Sequence, residues 1–222
     1  MAFDNTITVR QRKNIEHRIE DLRAEFEGVA GATVDTEWRG EVSNPTRSLI
    51  NTARLADLIV TASPEGASSG NVHRSTDLGS LILQAGRPVL VAATNQENFL
   101  ADKVLVAWKE TREARRAVVD SMPFLQMAKK VHVVTIEDDE TDETWNSLND
   151  VIAFLSFHGV KAKAEVLPEE SGGRTISDLA EKMHAQLVIS GAYGHSRFRE
   201  WVFGGATRSL LENDRLNRFM SN

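Results

Sequence analysis

In the string GAYGHSRFREWVFGGATRSLL, Gly191 closes an apolar run, Gly194 follows after two residues, and Gly204 and Gly205 come after nine more. A helical pattern starts just there, with Val202, Phe203, Ala206, Leu210 and Leu211. Glycine permits positive φ and close approach of the backbone to a ligand, and a helix N-terminus offers unpaired N–H groups with a favourable dipole. Together they can cradle a phosphate. His195 sits inside the loop, where either a phosphate contact or loop geometry alone would account for it.

Other candidates for chemistry are weaker. The histidines at 17, 73, 132, 158, 184 and 195 show no HxxxH or similar spacing, so they read as surface or packing residues rather than metal ligands. SGGR at Ser171 to Arg174 resembles the phosphate loop of ATP pyrophosphatases, but it precedes a late helix and reads as a turn and helix start. The acidic run Ile136 to Thr144 reads as a solvated loop, with Asp142 or Thr144 capping the next helix. No GxSxG or equivalent signals a nucleophile triad, and the tryptophans at 38, 108, 145 and 201 read as core or interface residues.

The elements that must position the glycine loop are strands and helices in alternation. Leu58 to Thr61, Pro88 to Ala92, Val104 to Trp108, Val131 to Ile136 and Leu187 to Ser190 are short, β-branched and continuously apolar. Such runs predict strands covered on both faces, as in parallel sheets. Thr33 to Trp38 and Lys161 to Leu167 are less apolar strand candidates, and Leu216 to Met220 a weak one. Ile15, Ile19, Leu22 and Phe26 form one helical stripe, and Trp145, Leu148, Ile152 and Leu155 another. Further helices are expected over about Ser43 to Leu55, Glu113 to Met127 and Thr175 to His184. Strands alternating with helices argue for right-handed βαβ units, hence an α/β fold with parallel sheets.

The two halves repeat one order of elements, with ADLIVTA and GRPVLVA closing the first and AQLVISGA late in the second. This reads as a duplicated unit of roughly 100 residues. The expected domains are 1–100 and 101–222, divided in the polar stretch Thr94 to Asp102.

With 41% hydrophobic and 26% charged residues among 222, the chain can bury a core. Its net charge of −6 and scattered basic residues argue against nucleic acid as a partner, although one loop of aimed N–H groups can still hold a small anion. There is no cysteine, which removes disulfides and thiolate chemistry. No signal-peptide core or membrane span is apparent, so the expectation is a soluble, cytoplasmic protein with no membrane partner.

The spacing G-x2-G-x9-G is similar to the ATP-binding signature of the universal stress protein family, and GAYGHSR followed by FGGATRSLLEN resembles tandem members of it. VLVAWKETREARRAV is similar to the family's opening strand and helix, and ADLIVTA with GRPVLVA to its closing strands. The resemblance implies a five-stranded parallel sheet of order 3-2-1-4-5 in each complete repeat, with two repeats paired as the family's dimers pair. It further implies ATP, with magnesium, wrapped by Gly191, Gly194, Gly204 and Gly205, with Thr207 a nearby hydroxyl. Ala107, Trp108 and Lys109 match the stretch near the adenosine, where either Lys109 would contact a phosphate or Trp108 would fill the pocket.

Two departures stand out. Gly205 occupies the place where nucleotide-binding members have Ser or Thr, and Ala107, Trp108 and Lys109 include no acid where those members carry one. The first-half loop SPEGASSGNVHRSTDLGS lacks the spaced glycines, so no nucleotide is expected there.

The resulting expectation is a non-catalytic stress-response protein, a homodimer, whose second repeat binds an adenine nucleotide. The alternatives are a slow ATPase or phosphoryl-transfer enzyme, or a nucleotide-free scaffold. The first repeat lacks the opening strand, helix and strand. A smaller, rearranged first sheet docked on a complete second repeat is expected, with a second chain covering its remaining edge.

Overall fold

The computed structural model describes residues 9–31, 34–62, 76–94, 99, 101–137, 140–168, 172–192 and 215–222. They divide between two units, Met1–Asn44 and Pro45–Asn222.

In the first unit, α1 (Val9–Ala30) is a helix with Ile15, Ile19 and Phe26 half-buried and Leu22 exposed. Its outer surface carries Arg12–Glu16 and Arg23–Glu27 pairs one turn apart, at 3.0 and 2.8 Å, which support a solvated helix. Gly31 follows at φ 58°, the left-handed conformation in which helices commonly end. The strand expected at Thr33 to Trp38 is not formed over 34–38, its described part. The Trp38 ring instead packs on Phe26 of α1, centroids 5.5 Å apart, and Val34 stays exposed. With no strand beside it among the described residues, this segment has no ladder to join.

The second unit opens with α2 (Pro45–Thr52), continued by a 3-10 turn at Ala53–Leu55. Then come β1 (Ile59–Ala62), α3 (Leu78–Gln84), β2 (Val89–Ala92), β3 (Lys103–Ala107), α4 (Arg112–Asp120), α5 (Met122–Met127) and β4 (Lys130–Ile136). It ends with α6 (Asp142–Phe157), β5 (Ala162–Leu167), α7 (Gly172–Met183), β6 (Leu187–Gly191) and β7 (Asn217–Ser221). The strands form one sheet of order β1-β2-β7-β6-β3-β4-β5.

Within it, β5-β4-β3-β6-β7 are parallel neighbours, which is the 3-2-1-4-5 order of a complete repeat. β1 and β2 are parallel to each other, and β2 joins β7 antiparallel through Val89–Met220, Leu90–Phe219 and Val91–Arg218. The first half therefore adds two strands to the second half's edge. Among the described residues the separate small sheet expected from the sequence is not formed, because β7 offers β2 an open edge and sharing it pairs backbone groups of both.

Helices cover both faces of the sheet. On one, Ala114, Ala117 and Val118 of α4, Leu125 of α5 and Leu148, Val151 and Leu155 of α6 bury Val104, Val106, Val133, Ile189 and Phe219. On the other, Leu81 and Ile82 of α3 and Ile176 and Ala180 of α7 share a core with Leu105, Val134, Val188, Val91 and Met220. Each fully buried Val, Leu, Ile, Phe or Met among them contributes about 1.5–3 kcal/mol.

The single helix expected over Glu113 to Met127 is two, broken at Ser121. Pro123 in the first turn of α5 cannot continue α4, since it lacks the N–H and its ring would clash with the preceding turn. Trp145, expected inward on α6, is 36% exposed, and Val151 takes part in the buried face instead. No helix among the described residues is long and apolar enough to cross a membrane.

Candidate functional site

The C-terminal ends of β3 and β6 lie side by side, because Ala107 is the register partner of Ser190 and Val106 that of Ile189. In an open parallel sheet this is the end where ligands bind. The order of strands produces the juxtaposition: β3 and β6 are parallel neighbours far apart in sequence, with α4 following β3 and the glycine-rich stretch following β6 in sequence.

Gly191 occupies the tightest point. A Cβ there would lie 2.5 Å from the backbone N of Ala114 and 2.6 Å from the carbonyl carbon of Glu113, so only glycine lets β6 end against the first turn of α4. That turn is capped by Thr111, whose hydroxyl accepts from the Ala114 N–H at 3.2 Å. The Glu113 side chain is buried there and accepts from the Arg112 guanidinium at 3.2 Å.

Of the other expected site residues, Ala107 is half-buried at the end of β3 and Lys109 is exposed two residues on. Trp108 between them turns into the core under α4 and α6. Its N–H donates to the Val134 carbonyl at 2.7 Å, and its indole Nε1 donates to Ser147 Oγ of α6 at 3.0 Å within the α4–α6 core. The structure brings Gly191, Ala107 and Lys109 to one end of adjacent strands. Gly194, His195, Gly204, Gly205 and Thr207 lie outside the described residues.

What the sequence did not signal is the set of bonds that fixes the exit of β6. The Ala192 N–H donates to the Ser221 carbonyl at 2.9 Å, and Asn222 Nδ2 donates to the Ala192 carbonyl at 2.7 Å. Ser221 Oγ in turn donates to Asp120 Oδ2 at 2.9 Å, and that carboxylate also pairs with Arg116 at 3.2 Å. The base of the loop is thus tied to β7 and the end of α4. Ser221 ends β7 and Asn222 follows it, at and just beyond a strand that the sequence marks only weakly, so spacing gave no cue to them.

Around the acidic run, α6 is capped by Thr141, whose hydroxyl accepts from the Thr144 N–H at 3.1 Å, rather than by Asp142 or Thr144. Asp142 has turned helical and adds charge to the first turn instead. The Glu137 carboxylate accepts from the Thr144 hydroxyl. No group of three or more metal-ligating side chains gathers among the described residues.

No protein-family model matches the sequence, and no curated protein is significantly similar to it. Solved structures are similar in fold. A universal stress protein from Archaeoglobus fulgidus aligns over 100% of this chain and 81% of its own, with a TM-score of 0.76 at 14% identity. A universal stress protein from Pseudomonas aeruginosa UCBPP-PA14 aligns over 93% of this chain and 77% of its own, with a TM-score of 0.60 at 18% identity. A functionally unknown protein from Pseudomonas aeruginosa PAO1 gives the same coverage, TM-score and identity. With its 3-2-1-4-5 strand order, its glycine-ended β6 and this likeness along the whole chain, the protein has the fold of the universal stress proteins.

Proposed function

We propose that the chain is a cytoplasmic stress-response protein of the tandem universal stress protein type, with repeats over 1–100 and 101–222, and that its second repeat binds ATP with magnesium without turning it over. The observation that carries this reading is the meeting of Gly191, at the end of β6, with the N-terminal turn of α4 beside the end of β3. A glycine-ended strand, a capped helix start and the exposed ammonium of Lys109 lie at one end of the sheet, and the helix dipole and the lysine favour an anion there. Gly194, His195, Gly204, Gly205 and Thr207 follow from that end of β6 in sequence and complete the proposed phosphate wrap.

Isothermal titration with ATP and magnesium tests binding. Gly194→Val is expected to abolish the heat while leaving the fold intact, because a branched side chain fills space a phosphate needs. No binding by the parent protein, or full affinity in the variant, overturns the assignment. A phosphate-release assay separates a binder from a slow ATPase.

One observation favours a nucleotide-free scaffold as the second reading. Gly191 is required by packing against Ala114 whether or not a ligand is present, so its glycine does not by itself call for a phosphate. In that case no nucleotide co-purifies with the protein, and titration gives no heat.

A further inference from the structure

We infer that the chain self-associates through β5, whose free edge pairs antiparallel with the β5 of a second copy about a twofold axis at Ala164. Among the described residues both outer strands of the sheet, β1 and β5, pair on one side only. An open edge presents a row of backbone donors and acceptors that another strand can satisfy. The two edges differ in what they specify. β1 is four residues long, Ile59–Ala62, with no charge to fix a register. β5 runs six residues, AKAEVL, and carries Lys163 and Glu165 two positions apart on one face.

That spacing is self-complementary. In an antiparallel pair centred on Ala164, Lys163 of each copy stands directly opposite Glu165 of the other, and Ala162 opposite Val166. Directly opposed side chains in such a ladder have Cβ atoms about 4.5–5.5 Å apart, within reach of an ion pair. A shift by one residue would place charges against apolar residues and turn the two faces over, so the charges select this register.

The surroundings agree with it. Ala162, Ala164 and Val166 face the α6 side, where they pack on the core, so an axis normal to the sheet continues both layers from one copy to the next. Lys161 and Lys163 are exposed and make no ion pair among the described residues. Glu165 is bonded on one oxygen to His132 Nε2 at 3.1 Å, and its side chain is 44% exposed, which leaves it reachable from the edge. Lys161 of the second copy falls opposite Leu167, whose carbonyl accepts from the Glu137 N–H at 2.9 Å. The contact is isologous and closes at two chains.

Sedimentation velocity over a concentration series at low and high salt tests it. A salt-sensitive monomer–dimer equilibrium is expected, with Lys163→Glu and Glu165→Lys each weakening it by about tenfold or more, since two attractive cross-strand pairs become repulsive. The double variant K163E/E165K restores the opposed charges and is expected to recover the dimer. This recovery also excludes misfolding as the cause of loss in the single variants. Because the chain has no cysteine, Ala164→Cys supplies an independent reading: the axis brings the two thiols together, and oxidation yields a covalent dimer that Ala162→Cys does not give. A monomer at all concentrations, a dimer indifferent to both single reversals, or a swap that fails to restore association overturns the inference.

Discussion

Gly191 and Trp108 show how one side chain, or its absence, decides what the end of a strand can do. Replacing Gly191 by Ala sets a methyl 2.5 Å from the Ala114 nitrogen, where both neighbours are backbone and cannot yield without moving α4 off β6. Overpacking of this kind costs about 1–3 kcal/mol, so Gly191→Ala is expected to lower the denaturation midpoint by urea with little change in the slope. A midpoint equal to that of the parent protein would show that α4 is free to move there. Trp108→Phe keeps most of the buried ring and loses the bond to Ser147, for about 1 kcal/mol in the same assay. At this scale the sequence drew attention to Gly191, because it closes an apolar run and opens a stretch with three more spaced glycines. It could not say why, since the backbone that excludes a Cβ belongs to α4, brought alongside only by the sheet order.

Among the elements, continuous β-branched runs were legible because a strand buried on both faces has no polar positions to blur it. Leu58 to Thr61, Pro88 to Ala92 and Leu187 to Ser190 each appear as strands shifted by no more than one residue at either end. β7 was nearly illegible, because Asn217, Arg218 and Ser221 place polar side chains in a strand that is buried throughout. Thr33 to Trp38 erred the other way, reading as a strand where the local partner is the aromatic ring of Phe26. The helix ends obey local chemistry, which makes them testable alone. Thr141→Ala removes the acceptor for the Thr144 N–H and is expected to cost about 1 kcal/mol, with amide exchange in the first turn of α6 rising before exchange elsewhere. Uniform loss of protection across the sheet would instead mean that the cap supports more than its own helix.

At the scale of the molecule, the antiparallel seam between β2 and β7 decides whether the halves are separate folding units or one. The sequence pattern divides the chain near residue 100, yet five strands of the second half and two of the first form a single sheet with shared cores on both faces. Asn217 pins the seam: its Oδ1 accepts from the Ala93 N–H at 2.9 Å, just past β2, and its Nδ2 donates to the Gln186 carbonyl at 2.8 Å, just before β6. One side chain therefore holds a backbone group from each half. Asn217→Ala leaves both part-buried groups without this partner, at a cost of about 1–2 kcal/mol. If residues 45–222 unfold as one cooperative body, hydrogen exchange at Val89–Ala92 and at Val104–Val106 should be governed by the same opening free energy. Both should then fall equally in the variant. Were only β2 to lose protection while β3, β4 and β6 kept theirs, the first half would be an appendage on an independently stable repeat. The burial of Leu90 with Phe219 on one face and of Val91 with Val188 and Met220 on the other argues for the shared transition, because separating β2 from β7 exposes both cores at once.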